Sequence, residues 1–246
     1  MIAAVVAFVK YGFLALKGLG SFLTLLVAIG SMTLLFGWQF GVGIVALIGL
    51  HETGHMIAAR RLGHETGWPI FLGPFGAVVG IKGLMATKRD EALIAIAGPI
   101  VGIILAWGIY VFATLTHWNE AFLIGLSYIG FLLTLFNLIP LSPLDGGRVA
   151  GSVSKRANVA GIVILGAFIL GEYLLNHFVS VVAVFILIVG TMGAFRHSAR
   201  TATQTPLTMS QRVGVGTAYL ALVVLSIVGM TTASTLLSAH GIAIGS

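Results

Sequence analysis

Seven stretches of this 246-residue chain run for 18 residues or more with hardly a charge: Gly18–Phe36, Gln39–Ala59, Ala92–Thr116, Ala121–Leu144, Asn158–Leu175, Phe178–Phe195 and Val213–Ala239. Only Glu52 and Glu172 interrupt them. A helix that crosses the hydrocarbon core of a bilayer needs about 20 mostly apolar residues, so each stretch predicts one crossing. Charged residues make up 8% of the chain, against roughly 25% in an average soluble domain. So few cannot clothe a water-facing surface of this size. Apolar residues at 58%, and 33 glycines without a triplet period, exclude disorder and collagen. The expected fold class is an all-α polytopic membrane protein with about seven spanning helices.

The 13 Lys and Arg residues sort themselves by connection. Lys10 and Lys17 precede the first stretch; Arg60, Arg61, Lys82, Lys88 and Arg89 lie between the second and third. Arg148, Lys155 and Arg156 follow the fourth, and Arg196, Arg200 and Arg212 separate the sixth from the seventh. If each stretch crosses once, all of them fall on one face. The positive-inside rule makes that face cytoplasmic, with the N-terminus inside and the C-terminus outside. Trp38 and Trp118 then fall in outside connections, at the interface that suits them. The net charge of +6 is explained by this asymmetry, and nucleic acid is not expected as a partner.

Two segments fit the scheme less simply. Met1–Leu16 is apolar but split by Lys10, which predicts an interfacial or partly inserted N-terminal helix, an interfacial segment over residues 1–17. With no basic start, it does not read as a cleavable signal peptide. Trp68–Gly83 is apolar yet broken by Pro69, Pro74 and four glycines. Poor helix propensity there predicts a re-entrant loop or short hairpin, dipping into the membrane where protein or a wet cavity covers its backbone.

The second stretch carries His51-Glu52-Thr53-Gly54-His55. Residues four apart share a helix face, so two imidazoles can grip one ion while Glu52 stands beside the open position as a base. Composition alone would produce such an HExxH match about 0.004 times in a chain like this. Glu52 lies some eight residues before Arg60, roughly 12 Å inside the cytoplasmic boundary at 1.5 Å per residue. An ionisable group at that depth is costly unless paired or metal-bound. With no cysteine in the chain, thiolate sites are excluded.

Catalytic zinc keeps three protein ligands and an open position, so a third donor is required. Glu65, Asp90 and Glu91 lie among basic residues and read as solvated charges, whereas Glu120 and Glu172 fall towards the far side. Asp145 remains, in the segment Asn137-Leu-Ile-Pro140-Leu-Ser-Pro143-Leu-Asp145-Gly146-Gly147. Pro140 and Pro143 stop the preceding helix, and the two glycines permit a sharp turn beside Asp145. Taken alone, Asp145 also reads as a helix-terminal cap. His64, His117, His177, His197 and His240 read as solvated or interfacial.

HETGH in an apolar span, followed by Asn-x-x-Pro and Leu-Asp-Gly in a later one, resembles the site-2 protease family of intramembrane zinc metalloproteases over roughly Phe22–Val149. The resemblance implies one zinc held by His51, His55 and Asp145, with Glu52 activating water. It also implies that Asn137 and Pro140 shape the substrate-binding region. Ala97-Gly98-Pro99 with Gly102 is similar to a Gly-Pro element of that family and offers a small-residue face for close helix approach. Neither an inserted PDZ-like domain nor a C-terminal nucleotide-sensing domain is found, which implies the compact subgroup.

The organisation expected is therefore an interfacial segment (1–17), a catalytic transmembrane core (18–150) and C-terminal transmembrane helices of unknown role (151–246). The expected activity is endoproteolysis of a transmembrane protein substrate within the lipid bilayer. The alternative is a non-hydrolytic zinc-binding membrane protein, either a carrier or an inactive scaffold. A carrier has no need of Glu52 next to a ligand. Electron transfer between His pairs fails because no second span contributes a buried histidine.

Overall fold

The computed structural model describes residues 2–83, 85, 87–154, 156–177, 184, 187, 188, 190–193 and 204–242. Its contacts divide the chain into two compact units, residues 1–83 and 84–246.

In the first unit, α1 (Ile2–Phe36) runs without a break through Lys17, so the expected interfacial segment and the first span form one helix. Gly37 ends it at φ 82°, a left-handed conformation that glycine adopts without Cβ strain. The chain turns at once into α2 (Trp38–Arg61). α2 buries Ile44, Val45, Leu47 and Ile48 in the turns ahead of the histidine motif and closes with Arg60 and Arg61, cations suited to a helix C-terminus.

A two-stranded antiparallel hairpin follows, β1 (Thr66–Phe71) and β2 (Ala77–Ile81), joined through a 3₁₀ turn at Gly73–Phe75. Of the two forms expected for this segment, the chain takes the hairpin. It adds a small sheet to an otherwise helical fold. Register shifts between Thr66 and Pro69, where proline brings no donor to the ladder. The hairpin is tied to α1 by two polar contacts. The Ser21 hydroxyl donates to the Pro69 carbonyl, and the Phe71 N–H donates to Thr24 Oγ1 at 3.2 Å.

In the second unit, Thr87 caps α3 (Lys88–Thr116) by accepting the Asp90 N–H at 3.0 Å, and Asp90 and Glu91 complement the helix dipole. Pro99 sits inside this helix, buried with Gly98 and Gly102. α4 (Glu120–Asn137) packs along α3, and the buried Ser127 hydroxyl donates to the Ala106 carbonyl at 2.9 Å. After a break over residues 138–144 come α5 (Asp145–Val153), α6 (Ala157–Asn176) and α7 (Met209–Ala239). α7 packs on α3, α4 and α5. Its Leu222 joins Ala95, Ile96, Ile103, Leu138 and Val149 in one apolar cluster.

Among the described residues, five helical segments are long and apolar enough to cross a membrane: Gly18–Phe36, Trp38–Arg61, Lys88–Thr116, Glu120–Asn137 and Met209–Ala239. A sixth, Val159–Leu175 within α6, is apolar but shorter. The expected stretch Phe178–Phe195 lies largely outside the described residues.

Candidate metal centre

His51, Glu52 and His55 sit on consecutive turns of α2, and their ligating atoms lie within 4.8 Å of one another. His51 Nε2 and His55 Nε2 are 3.2 Å apart, with both side chains buried. Two nitrogens each 2.0–2.1 Å from a tetrahedral zinc stand about 3.3 Å apart, so the imidazole pair already has the spacing one shared cation requires. The rings meet edge to face at 74°. Ahead of the motif, the Phe71 ring of the hairpin lies close to Gly49, where an added Cβ would meet its Cζ at 3.3 Å. The sheet therefore abuts α2 within the first unit.

Asp145 belongs to the second unit. It is the first residue of α5 and 8% exposed, with Leu144 rather than Asp145 at the cap position. The reason for its glycines differs from the one expected. Gly146 and Gly147 lie inside α5, where a Cβ would come within 2.2 Å of the Leu138 carbonyl oxygen and 2.1 Å of the Ser142 nitrogen. They allow the broken segment to fold directly onto the helix it precedes; a turn conformation is not what requires them.

Asn137 ends α4, where its Nδ2 donates to the Leu133 carbonyl at 3.0 Å. Pro140, three residues on, lies against α6, because a Cβ on Gly161 would meet its carbonyl oxygen at 2.2 Å. Tyr219 of α7 donates its hydroxyl to the Leu138 carbonyl at 2.5 Å, satisfying an acceptor at the broken end of α4. Nothing in the pattern around Tyr219 marks this role.

One expectation is corrected. Glu91, read as a solvated charge, is 7% exposed. Arg148 approaches it at 3.8 Å and approaches Asp145 at 3.7 Å. The helical phase was the available signal, since Glu91 falls on the same face as the buried Ala95, Gly98 and Gly102. Glu120 is also paired, with His117 at 2.9 Å and His240 at 3.9 Å.

Outside the spans, Lys82 Nζ lies 2.7 Å from Glu65 Oε2. The hydrogen bond from Lys82, and then its charge, hold the Glu65 carboxyl below its ordinary value.

A model of Peptidase family M50 matches residues 39–119. The matched stretch contains the histidine motif, the hairpin and all of α3. The chain is 30% identical to the Arabidopsis thaliana protein named "Probable zinc metalloprotease EGY2, chloroplastic", over 58% of this chain and 34% of that one. It is also 30% identical to a zinc metalloprotease of Methanocaldococcus jannaschii, over 55% of this chain and 40% of the other. The chain thus spans about a third of the length of the curated relatives it matches. The solved site-2 protease from Methanocaldococcus jannaschii aligns with 76% of this chain and 90% of its own, at 22% identity and a TM-score of 0.49.

Proposed function

We propose that this chain is a zinc-dependent endopeptidase of the M50 kind that cleaves transmembrane segments of membrane-protein substrates near the cytoplasmic side. The observation that carries the reading is the imidazole pair at shared-cation spacing, with a carboxylate beside it, on an apolar helix within the stretch that matches the M50 model. His51, His55 and Asp145 hold the zinc. Support for Asp145 is its place in the Leu-Asp-Gly segment and its burial at the head of α5.

Zinc bound there supplies a Lewis acid that polarises the scissile carbonyl and acidifies a nucleophilic water. The Glu52 carboxylate accepts a proton from the attacking water and delivers it to the amide nitrogen as the C–N bond breaks. An intact substrate helix keeps its carbonyls in hydrogen bonds, so the cut falls where the substrate unwinds. The hairpin offers strand edges to such an unwound segment. Its exposed Trp68, Ile70, Leu72 and Val78 suit an apolar partner, and Asn137 and Pro140 shape the binding region. The basic connections face the cytoplasm, as does the N-terminus, with the C-terminus outside.

Glu52→Gln tests the mechanism. The variant is expected to retain zinc while cleavage of a membrane reporter falls on the order of a thousandfold, the scale of a lost general base. Undiminished cleavage with zinc bound would overturn it, and zinc flux into vesicles that survives the substitution would favour a carrier.

A further inference from the structure

Within the second unit, two acidic side chains from different helices face a single guanidinium. Arg148 places Nη1 3.7 Å from Asp145 Oδ1 and Nε 3.8 Å from Glu91 Oε1. The Arg148 side chain is 21% exposed and each carboxylate side chain 10%. These distances are nearly equal, and both exceed a charge-assisted hydrogen bond, which runs at about 2.7–2.9 Å. The guanidinium is shared between the acids; it is closed on neither through these contacts.

That sharing matters because arginine and a carboxylate prefer to close as a fork, with two parallel hydrogen bonds, most of all where water is scarce. A carboxylate locked in such a fork has little charge left to offer a divalent cation. Arg148 follows Asp145 by three residues on the same helix face, so α5 by itself favours that closure. Glu91 opposes it from the first turn of α3, a position held by the Thr87 cap and by the buried phase of the helix.

We propose that Glu91 is a positioning residue for metal binding: it draws Arg148 off Asp145 and leaves the Asp145 carboxylate charged for a divalent cation. The proposal rests on the reading of Asp145 as a ligand. Charge bookkeeping gives it a sign that a structural tie between α3 and α5 does not share. The three groups together carry one net negative charge. Glu91→Gln removes that charge and sets Arg148 to close on Asp145. Adding Arg148→Gln removes the competitor and restores one negative charge, on Asp145 itself.

The test is zinc affinity of the purified full chain, measured by chelator competition beside the melting temperature of the metal-depleted protein. Glu91→Gln is expected to raise the zinc Kd about tenfold, the lower end for a lost supporting partner. The double variant Glu91→Gln/Arg148→Gln is expected to return to within about threefold of the unaltered chain. An unchanged Kd in Glu91→Gln overturns the proposal, as does a double variant that binds no better than the single. Should Glu91→Gln fail to fold, Arg148→Gln reads the same charge: binding at least as tight as in the unaltered chain supports the proposal, and weaker binding overturns it. Asp145→Asn separates the two levels. If it leaves zinc affinity unchanged, the ligand reading fails and this inference with it; if it weakens binding while Glu91→Gln does not, only this inference fails.

Discussion

The two stretches proposed to supply zinc ligands are built by opposite means. His51 and His55 stand on an uninterrupted helix, where a spacing of four residues brings their Nε2 atoms to 3.2 Å with no help from distant chain. Asp145 stands where a helix has been broken, and its place depends on groups scattered over the second unit. Leu138 and Ser142 press on Gly146 and Gly147, Tyr219 holds the Leu138 carbonyl, and Arg148 ties the carboxylate's surroundings to Glu91. The first arrangement is local and survives remote change. The second is as strong as its weakest supporting contact.

If that contrast holds, substitutions should divide accordingly. The largest effect belongs to the histidines themselves. His55→Ala is expected to weaken zinc binding on the order of a hundredfold or more, since one donor of a small set is lost, with the melting temperature of the metal-depleted protein little changed. Next comes Gly147→Ala. Its Cβ would sit 2.1 Å from the Ser142 nitrogen, a backbone atom that cannot swing aside. A cost of about 3 kcal/mol is expected from this overpacking, read as a lower melting temperature together with lost zinc affinity. A Gly147→Ala protein as stable as the original would break the comparison at its centre. Tyr219→Phe should cost less, about 1 kcal/mol for a carbonyl that loses its partner near the helix end. It should weaken zinc binding without touching the histidine pair, a dissociation visible by comparing zinc affinity with His51 and His55 imidazole resonances in the metal-depleted protein.

The same contrast explains what could be read from the sequence. Apolar length gives α2, α3 and α7 nearly as they stand, because a helix in lipid must satisfy its own backbone; α4 stops at Asn137, ahead of Pro140, although its apolar stretch runs on to Leu144. HETGH is legible because its geometry needs only α-helical periodicity. The Trp68–Gly83 stretch was legible as non-helical from its prolines and glycines, yet the hairpin's hold on Ser21 and Thr24 involves residues 47 and 48 positions away, a separation no local pattern reports. Glu91 was misread because its neighbours in sequence, Lys88, Arg89 and Asp90, are charged, whereas its neighbours in space are set by the face it shares with Ala95. Tyr219 lies 81 residues from the carbonyl it holds.

The smallest expected effect is at the mouth of the hairpin, and it sharpens the contrast from the other side. Lys82 and Glu65 form an ion pair at 2.7 Å, but their side chains are 68% and 75% exposed, a setting in which ion pairs contribute little. The same two residues are also joined through the main chain, where the Lys82 N–H donates to the Glu65 carbonyl at 2.9 Å. Glu65→Gln therefore leaves the local ladder in place and should not measurably lower the melting temperature at neutral pH. Its trace lies in the pH dependence. Because Lys82 lowers the Glu65 carboxyl in the folded chain, the pair's contribution is present above the carboxyl's ordinary value and is lost as pH falls through the lowered one. The unaltered hairpin should show a slight rise in amide exchange across that acid range, and Glu65→Gln should not. A hairpin that opened in the variant at neutral pH would mean that its register depends on the side-chain pair rather than on the backbone and the Ser21 and Thr24 anchors, and the first unit would then be no more self-sufficient than the second.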